Sequence, residues 1–165
     1  MPDQTLETLF YDTLKDIYYA EKRILKALPK MARGAQSSAL RDAFETHRDE
    51  TEGHVERLQQ VFELLGKPPR SKTCPAIDGI IEEGEEHLSK FSGSPAMDAG
   101  LIAVAQAVEH YEIARYGALR QWASDLGSSE MSKLLDQTLG EEMNTDRILT
   151  EAAESGANRS AVETA

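Results

Sequence analysis

Apolar residues recur at alternating steps of three and four along most of this 165-residue chain. Such steps place side chains on one face of an α-helix. The first series is Leu6, Phe10, Leu14, Ile17, Ile24, Leu28 and Met31. No alternating strand pattern bounded by turn residues competes with this interpretation. The spacing therefore predicts an all-α protein in which each long helix buries one apolar stripe.

Turn residues divide the pattern into four long helices. The second series ends at Gly66 and Pro68, because glycine suits the position after a helix and proline cannot continue one. The third helix is predicted to begin with Ser94 as N-cap and Pro95 in the first helical position, and to close at Leu126-Gly127. The fourth is predicted to begin at Ser128 or Ser129 and to end at Ser155-Gly156.

The lengths of the connections predict how these helices are arranged. Short connections make the first and second helices antiparallel neighbours, and likewise the third and fourth. The long link from Gly66 to Ser94 can run the length of a bundle, and its apolar residues predict an extra short helix that begins near Thr73 or Cys74. Two hairpins joined by such a crossover indicate a ferritin-like four-helix bundle. We expect the bundle to occupy residues 1–156 and a flexible tail to occupy residues 157–165.

All four long helices carry acidic residues at mid-length, on the stripe where apolar residues are expected. The polar residues on the stripes are Glu21 in the first helix, His47, Glu50 and His54 in the second, Glu109 and Glu112 in the third, and Glu142 and Asp146 in the fourth. Buried carboxylates must be protonated, paired or bound to cations. Only Arg115 lies near enough to be a counter-ion. We therefore predict two metal ions, with iron preferred and manganese the alternative, because carboxylates with imidazoles suit both.

The two hairpins present their acids alike. Glu21 precedes Glu50 by 29 residues, and Glu112 precedes Glu142 by 30. This repeat predicts a pseudo-twofold site in which Glu50 and Glu142 bridge the ions. The residues predicted to support the ligands are Tyr18, Tyr19, His110, Tyr111, Arg115 and Tyr116.

Several assignments stay open at this point. His47 and His54 either bind metal or orient carboxylates. Asp146 either binds metal or hydrogen-bonds a ligand, and Glu141 is expected to be exposed. The tyrosines are expected to be core aromatics rather than redox groups.

Composition excludes several classes of partner. The net charge of −11 argues against nucleic acid and anionic membranes, since both attract dense Lys and Arg. There is no apolar run of 18 residues and no basic N-terminal signal pattern. Cys74 is the only cysteine, which excludes an intrachain disulfide and a cysteine-based metal site. We predict a soluble cytoplasmic protein.

Four stretches resemble the YciE/YciF family of small bacterial ferritin-like proteins. They are "LFYDTLKDIYYAEKRILKALPKMA", "HRDETEGH", "AVEHYEIARYG" and "LGEEMNTD". The resemblance implies a four-helix bundle with an extra short helix, a homodimer, a dinuclear metal centre and a role in stress responses, but no defined reaction. Ferritin-like sites usually carry Glu-x-x-His, whereas Gly53 and Thr145 follow Glu50 and Glu142 at that spacing. Which histidine binds metal is therefore open.

Two hypotheses for function follow from these features. The first is a metal-dependent oxidase that oxidises ferrous iron or handles a small oxidant, either oxygen or peroxide, in a stress response. The second is a structural or stress-protective protein in which metal stabilises the bundle without turnover. Iron storage is a weaker third, because mineralisation needs a closed cage and one chain shows no such assembly.

Overall fold

The computed structural model describes residues 4–163, and this range contains helices and no β-strand. The elements are α1 (Leu6–Gly34), α2 (Ser38–Leu64), α3 (Pro75–Lys90), α4 (Met97–Asp125), α5 (Ser129–Ala152), a π-helical turn (Ala153–Ala157) and α6 (Asn158–Glu163). The all-α prediction is confirmed. Between residues 4 and 163, no helix is both long and apolar enough to span a membrane.

The long helices begin and end where local chemistry favours it. The side chains of Thr5, Ser37 and Ser128 accept hydrogen bonds from backbone N–H groups in the first turns of α1, α2 and α5. Gly66 and Gly127 follow α2 and α4 with positive φ angles of 68° and 84°, which glycine adopts without steric cost.

One predicted helix start is wrong. Helix α4 begins at Met97 rather than Pro95, because the residues from Ser94 to Met97 form a turn closed by a 3.1 Å bond from the Met97 N–H to the Ser94 carbonyl. Asp98, in the first turn of α4, accepts bonds from the backbone N–H groups of Gln36 and Ser37. This contact ties the start of α4 to the connection between α1 and α2.

The four long helices form a bundle of two hairpins. Helix α1 packs on α2 and α4, while α5 packs on α4 and α2. Helix α3 lies in the crossover and packs against α4 and α1. Asp78 of α3 accepts hydrogen bonds from Tyr19 and Arg23 of α1, at 2.8 Å each, and Lys30 pairs with Glu85 at 2.7 Å. This is the predicted four-helix bundle with an extra helix in its crossover.

The chain remains helical beyond Ser155-Gly156, where the sequence predicts the end of the fourth helix. It passes through the π-helical turn into α6, and none of residues 153–163 is buried. Residues 1–3 of the predicted domain and residues 164–165 of the predicted tail lie outside the described residues.

Candidate metal centre

Six charged or titratable side chains meet at mid-height inside the bundle. They are Glu21 of α1, His47 and His54 of α2, Glu109 and Glu112 of α4, and Glu142 of α5. All are buried, with exposed fractions between 0% and 4%. They replace apolar residues on the stripes that hold the bundle together, so the fold itself buries them.

Glu142 is shared between two groups of potential ligands. In one group Nδ1 of His54 lies 2.9 Å from Oε1 of Glu142 and 3.3 Å from Oε1 of Glu21. In the other, Nε2 of His47 lies 3.1 Å from Oε1 of Glu109 and 3.9 Å from Oε2 of Glu142, and Glu112 completes the group. The ligand atoms within each group lie within 4.8 Å of one another. Each oxygen of Glu142 therefore faces a different group, as in a bridging carboxylate.

Most polar atoms of this cluster lack a hydrogen-bond partner. The unpartnered buried atoms are Oε2 of Glu21, Nε2 of His47, Nδ1 of His54, Oε2 of Glu109, and both oxygens of Glu112 and Glu142. The two ring nitrogens lie close to carboxylate oxygens but are not aligned for hydrogen bonds.

Metal ligation would account for this arrangement. Each unsatisfied buried polar atom costs about 1–3 kcal/mol. Divalent ions hold nitrogen and oxygen ligands at about 2.0–2.2 Å, so neighbouring ligand atoms on one ion lie roughly 3 Å apart. The distances from the ring nitrogens match that spacing, and the residues present fit a metal centre.

Proton binding compensates the charges of the cluster when no metal is bound. Burial raises the pKa of Glu109 to about 8 and that of Glu112 well above its ordinary value. Burial opposes a charge on His54, but Glu21 and Glu142 outweigh it and raise the pKa of this imidazole to about 10. The positive charge of His54, 2.9 Å away, in turn holds the pKa of Glu142 below its ordinary value despite burial. Four ionised carboxylates would balance two divalent ions once these protons leave.

Residues outside the cluster hold His54 and Glu21 in place. Nε2 of His54 lies 2.9 Å from Oε2 of Glu141, and Arg57 donates to the same carboxylate at 2.7 Å and to Thr138 at 2.6 Å. Metal-binding histidines usually donate their second N–H to a carboxylate or carbonyl in this way. In the same ligand group, Tyr116 donates a short hydrogen bond to Oε1 of Glu21.

Comparison with known proteins places the chain in a family. A family model described as a domain of unknown function, DUF892, matches residues 5–162. The chain belongs to the DUF892 family. Protein YciF of Escherichia coli (strain K12) is 44% identical over 160 residues, which is 96% of each protein.

Solved structures agree with this assignment. The crystal structure of the E. coli stress protein YciF superposes with a TM-score of 0.90 at 42% identity, covering 94% of this chain and 98% of that one. YcfI of Rhodopseudomonas palustris gives a TM-score of 0.87 at 45% identity, covering 90% and 95%. A protein from Xanthomonas campestris shares the fold, with a TM-score of 0.71 at 22% identity and 91% coverage of both chains. The resemblance to the YciE/YciF family is confirmed.

Two of the predicted ligands of this DUF892 protein lie beside the cluster rather than in it. Glu50 is one-third exposed, and its carboxylate lies 3.8 Å from Nδ1 of His47. At 3.6 residues per turn His47 and His54 point within about 20° of each other, whereas Glu50 is rotated by roughly 40–60° from both. Asp146 points to Nε2 of His110 and to the Gln106 amide, at 3.2 Å each. Glu50 and Asp146 therefore belong to neither ligand group, and of the two predicted bridges only Glu142 lies between the groups.

The residues predicted to support the ligands make other contacts, apart from Tyr116. The Tyr18 hydroxyl accepts from Gln59, and the Tyr19 hydroxyl donates to Asp78. The Tyr111 hydroxyl lies 2.9 Å from Sγ of Cys74. Arg115 is exposed and lies over the Tyr111 ring, and His110 is 69% exposed.

Sequence reasoning missed the outer support of His54. Glu141, predicted to be exposed, is only 27% exposed and contacts both His54 and Arg57. A useful signal was the spacing, since Arg57 follows His54 by three residues and therefore neighbours it on the helix surface.

Proposed function

We propose that the protein binds two metal ions in this cluster, with iron as the preferred metal and manganese as the alternative. The observation that carries the proposal is the convergence of unpartnered buried ligand atoms on two groups joined by Glu142. Glu21, His54 and Glu142 would hold one ion. The other would be held by His47, Glu109, Glu112 and Glu142. Glu50, whose carboxylate lies 3.8 Å from Nδ1 of His47, is proposed as a further ligand of this second ion.

We propose that the bound ions serve redox chemistry in a stress response, with oxygen or peroxide as the oxidant and ferrous iron as one substrate. Iron or manganese at this position would supply electrons to the oxidant. The protein's own residues would hold the ions and exclude bulk water. Contact of His54 with the partly exposed Glu141 offers a route for protons to the solvent. The relative YciF is itself described as a stress protein.

Metal analysis tests the binding proposal directly. Protein produced in iron- or manganese-supplied cells and purified without chelator should carry close to two ions per chain by native mass spectrometry. The Glu142→Gln variant should lose most of this metal, because it removes the bridge, while Glu151→Gln on the exposed side of α5 should keep it. A wild-type protein that holds only zinc traces would contradict the proposal. Stopped-flow measurement of ferrous oxidation by oxygen and by peroxide then tests for turnover.

A structural role is the second candidate. YcfI is described as a protein proposed to be structural, and an ion enclosed among four helices would hold the two hairpins together. This alternative predicts that redox-inert Zn²⁺ raises the melting temperature as much as Fe²⁺ does, and that ferrous iron is not oxidised faster than in buffer.

We also propose a cytoplasmic location, because a chain with one cysteine forms no intrachain disulfide, and a homodimer, on the basis of the family resemblance. Light scattering should give twice the chain mass of 18.2 kDa at micromolar concentration. A monomer mass under these conditions would exclude the dimer.

A further inference from the structure

A cavity of about 130 Å³ lies in the bundle on the His47 side of the metal cluster. Helices α1 to α5 all contribute to it. Its walls are mostly apolar, and they include Leu28, Phe44, Ile81, Leu88 and Val108. A cavity of about 150 Å³ lined by Leu, Ile and Phe stays dry and binds benzene or xenon, so this space suits one small apolar molecule.

Two side chains of the buried Glu/His cluster line the inner end of this cavity. His47 and Glu109 line it, together with Glu50 and Thr145. Oε2 of Glu109 and Nε2 of His47 are buried without hydrogen-bond partners. A molecule in the cavity would therefore have apolar walls around its body and, near one end, either these polar atoms or the ion that they would hold.

Helix α3 forms the outer wall of the cavity. Ile81, Gly84 and Leu88 line it from this helix, and a Cβ atom on Gly84 would lie 2.9 Å from Cγ1 of Val104. The missing side chain lets α3 approach α4 closely. The extra helix in the crossover thus encloses a space that the four long helices alone would leave open on this side.

The lining of the cavity disfavours anions. Lys30 is the one Lys or Arg among the lining residues, and it is already paired with Glu85 at 2.7 Å. Glu50 and Glu109 supply acidic groups at the inner end. An ionised carboxylate or phosphate would lose its hydration among the apolar walls with no free Lys or Arg in the lining, whereas a neutral hydroxyl or hydroperoxide would lose much less.

We propose that this cavity binds a small organic molecule of about the size of benzene, whose one neutral polar group faces His47 and Glu109. The substrate or oxidant of the centre is then organic and apolar. The position of this molecule next to a metal ion rests on the proposed function. The binding of an apolar ring in the cavity does not, so the two claims are tested separately.

Fluorine NMR with fluorobenzene as the probe tests the cavity in the full-length protein. We expect the ¹⁹F signal to shift on binding to chelator-treated wild type. Ala105→Leu on α4 and Ala43→Leu on α2 both fill the cavity and should abolish the shift. Ala107→Leu adds the same atoms at an exposed site on α4 and should leave the shift unchanged. Circular dichroism identifies the variants that fold. With two cavity variants, the test still gives a result if one of them does not fold.

The position next to the metal is tested by loading the protein with paramagnetic Mn²⁺. Bound fluorobenzene should then show strong line broadening that Zn²⁺ does not cause.

Absence of a shift in wild type, or an equal shift in the folded cavity variants, would overturn the proposal. Binding of xenon without fluorobenzene would also overturn it, since the space would then admit only a gas. Protein that carries Mn²⁺ and binds fluorobenzene without broadening would refute the placement. Failure to take up both Mn²⁺ and Fe²⁺ would refute the proposed function, while the shift in the metal-free protein would still support the cavity.

Discussion

Glu141 lies outside the metal cluster but contacts one of its ligands. Its carboxylate lies 2.9 Å from Nε2 of His54, and Arg57 holds it there with two hydrogen bonds from one nitrogen. Because the other ring nitrogen of His54 faces Glu21 and Glu142, Glu141 fixes which nitrogen is free to bind an ion.

We expect Glu141→Gln to weaken metal binding by about tenfold to a hundredfold, the usual effect of removing a partner of a metal-binding histidine. The amide preserves the shape but loses the negative charge that supports His54 and pairs with Arg57. Titration of the metal-free protein with Mn²⁺ in the presence of a competing chelator measures the change. Glu151→Gln makes the same charge change at an exposed site on α5, and equal affinities for the two variants would contradict the role assigned to Glu141.

At the scale of the elements, α3 depends on close contacts that only small residues permit. The His87 ring of α3 stacks on Phe91 and lies 3.1 Å from the Met97 carbonyl, directly over Gly100 of α4. A Cβ atom on Gly100 would fall 1.8 Å from Cε1 of this ring. The imidazole would have to leave its position, with loss of its stacking and its hydrogen bond.

Gly100→Ala should therefore destabilise the protein by about 1–3 kcal/mol, the range of overpacked sites. Gly117→Ala on the same helix meets no atom within 4 Å and should stabilise it by roughly 0.5–1 kcal/mol, because alanine loses less backbone entropy in a helix. Urea unfolding of both variants gives the comparison. A stabilised Gly100→Ala protein would show that His87 can leave its position without cost.

Helix periodicity predicted the elements well because it depends only on spacing along the chain. The stripes and the extra helix in the crossover follow from it directly, and the ends at Gly66 and Gly127 follow from the turn residues. The start of α4 was predicted wrongly, since Ser94 and Pro95 suit a turn as well as a helix start.

The site was only partly predictable, because side-chain direction depends on neighbouring helices. Six of the eight predicted ligands meet in the cluster. A stripe of steps of three and four is too coarse to separate His47 from Glu50, which differ by roughly 60° around the helix. Asp146 lies next to His110 and Gln106 of another helix, and no pattern within α5 could show that contact.

At the scale of the whole molecule, the buried Glu/His cluster takes its side chains from both hairpins. Glu21 and His54 come from the first hairpin, and Glu112 and Glu142 from the second. Ions bound only by the folded state add stability according to RT ln(1 + [L]/Kd), which is about 2.7 kcal/mol at a hundredfold excess over Kd. Bound metal would therefore couple hairpins that otherwise depend on apolar packing and on the protonated form of the cluster.

The protons that compensate the cluster without metal must leave when metal binds. The pKa of His54 is raised to about 10 and that of Glu109 to about 8, so both groups hold a proton at pH 7 in the metal-free protein. Metal requires the neutral imidazole and the ionised carboxylate. Binding at pH 7 should therefore release more than one proton per chain, and the affinity should rise with pH up to these pKa values.

Isothermal titration calorimetry with Mn²⁺ at pH 7, in two non-chelating buffers of different ionisation enthalpy, measures the number of protons released. Glu109→Gln should release about one proton fewer, because its amide does not titrate. A binding heat that is the same in both buffers for the wild type would mean that the ions do not displace these protons, and the cluster would then not be their ligand set.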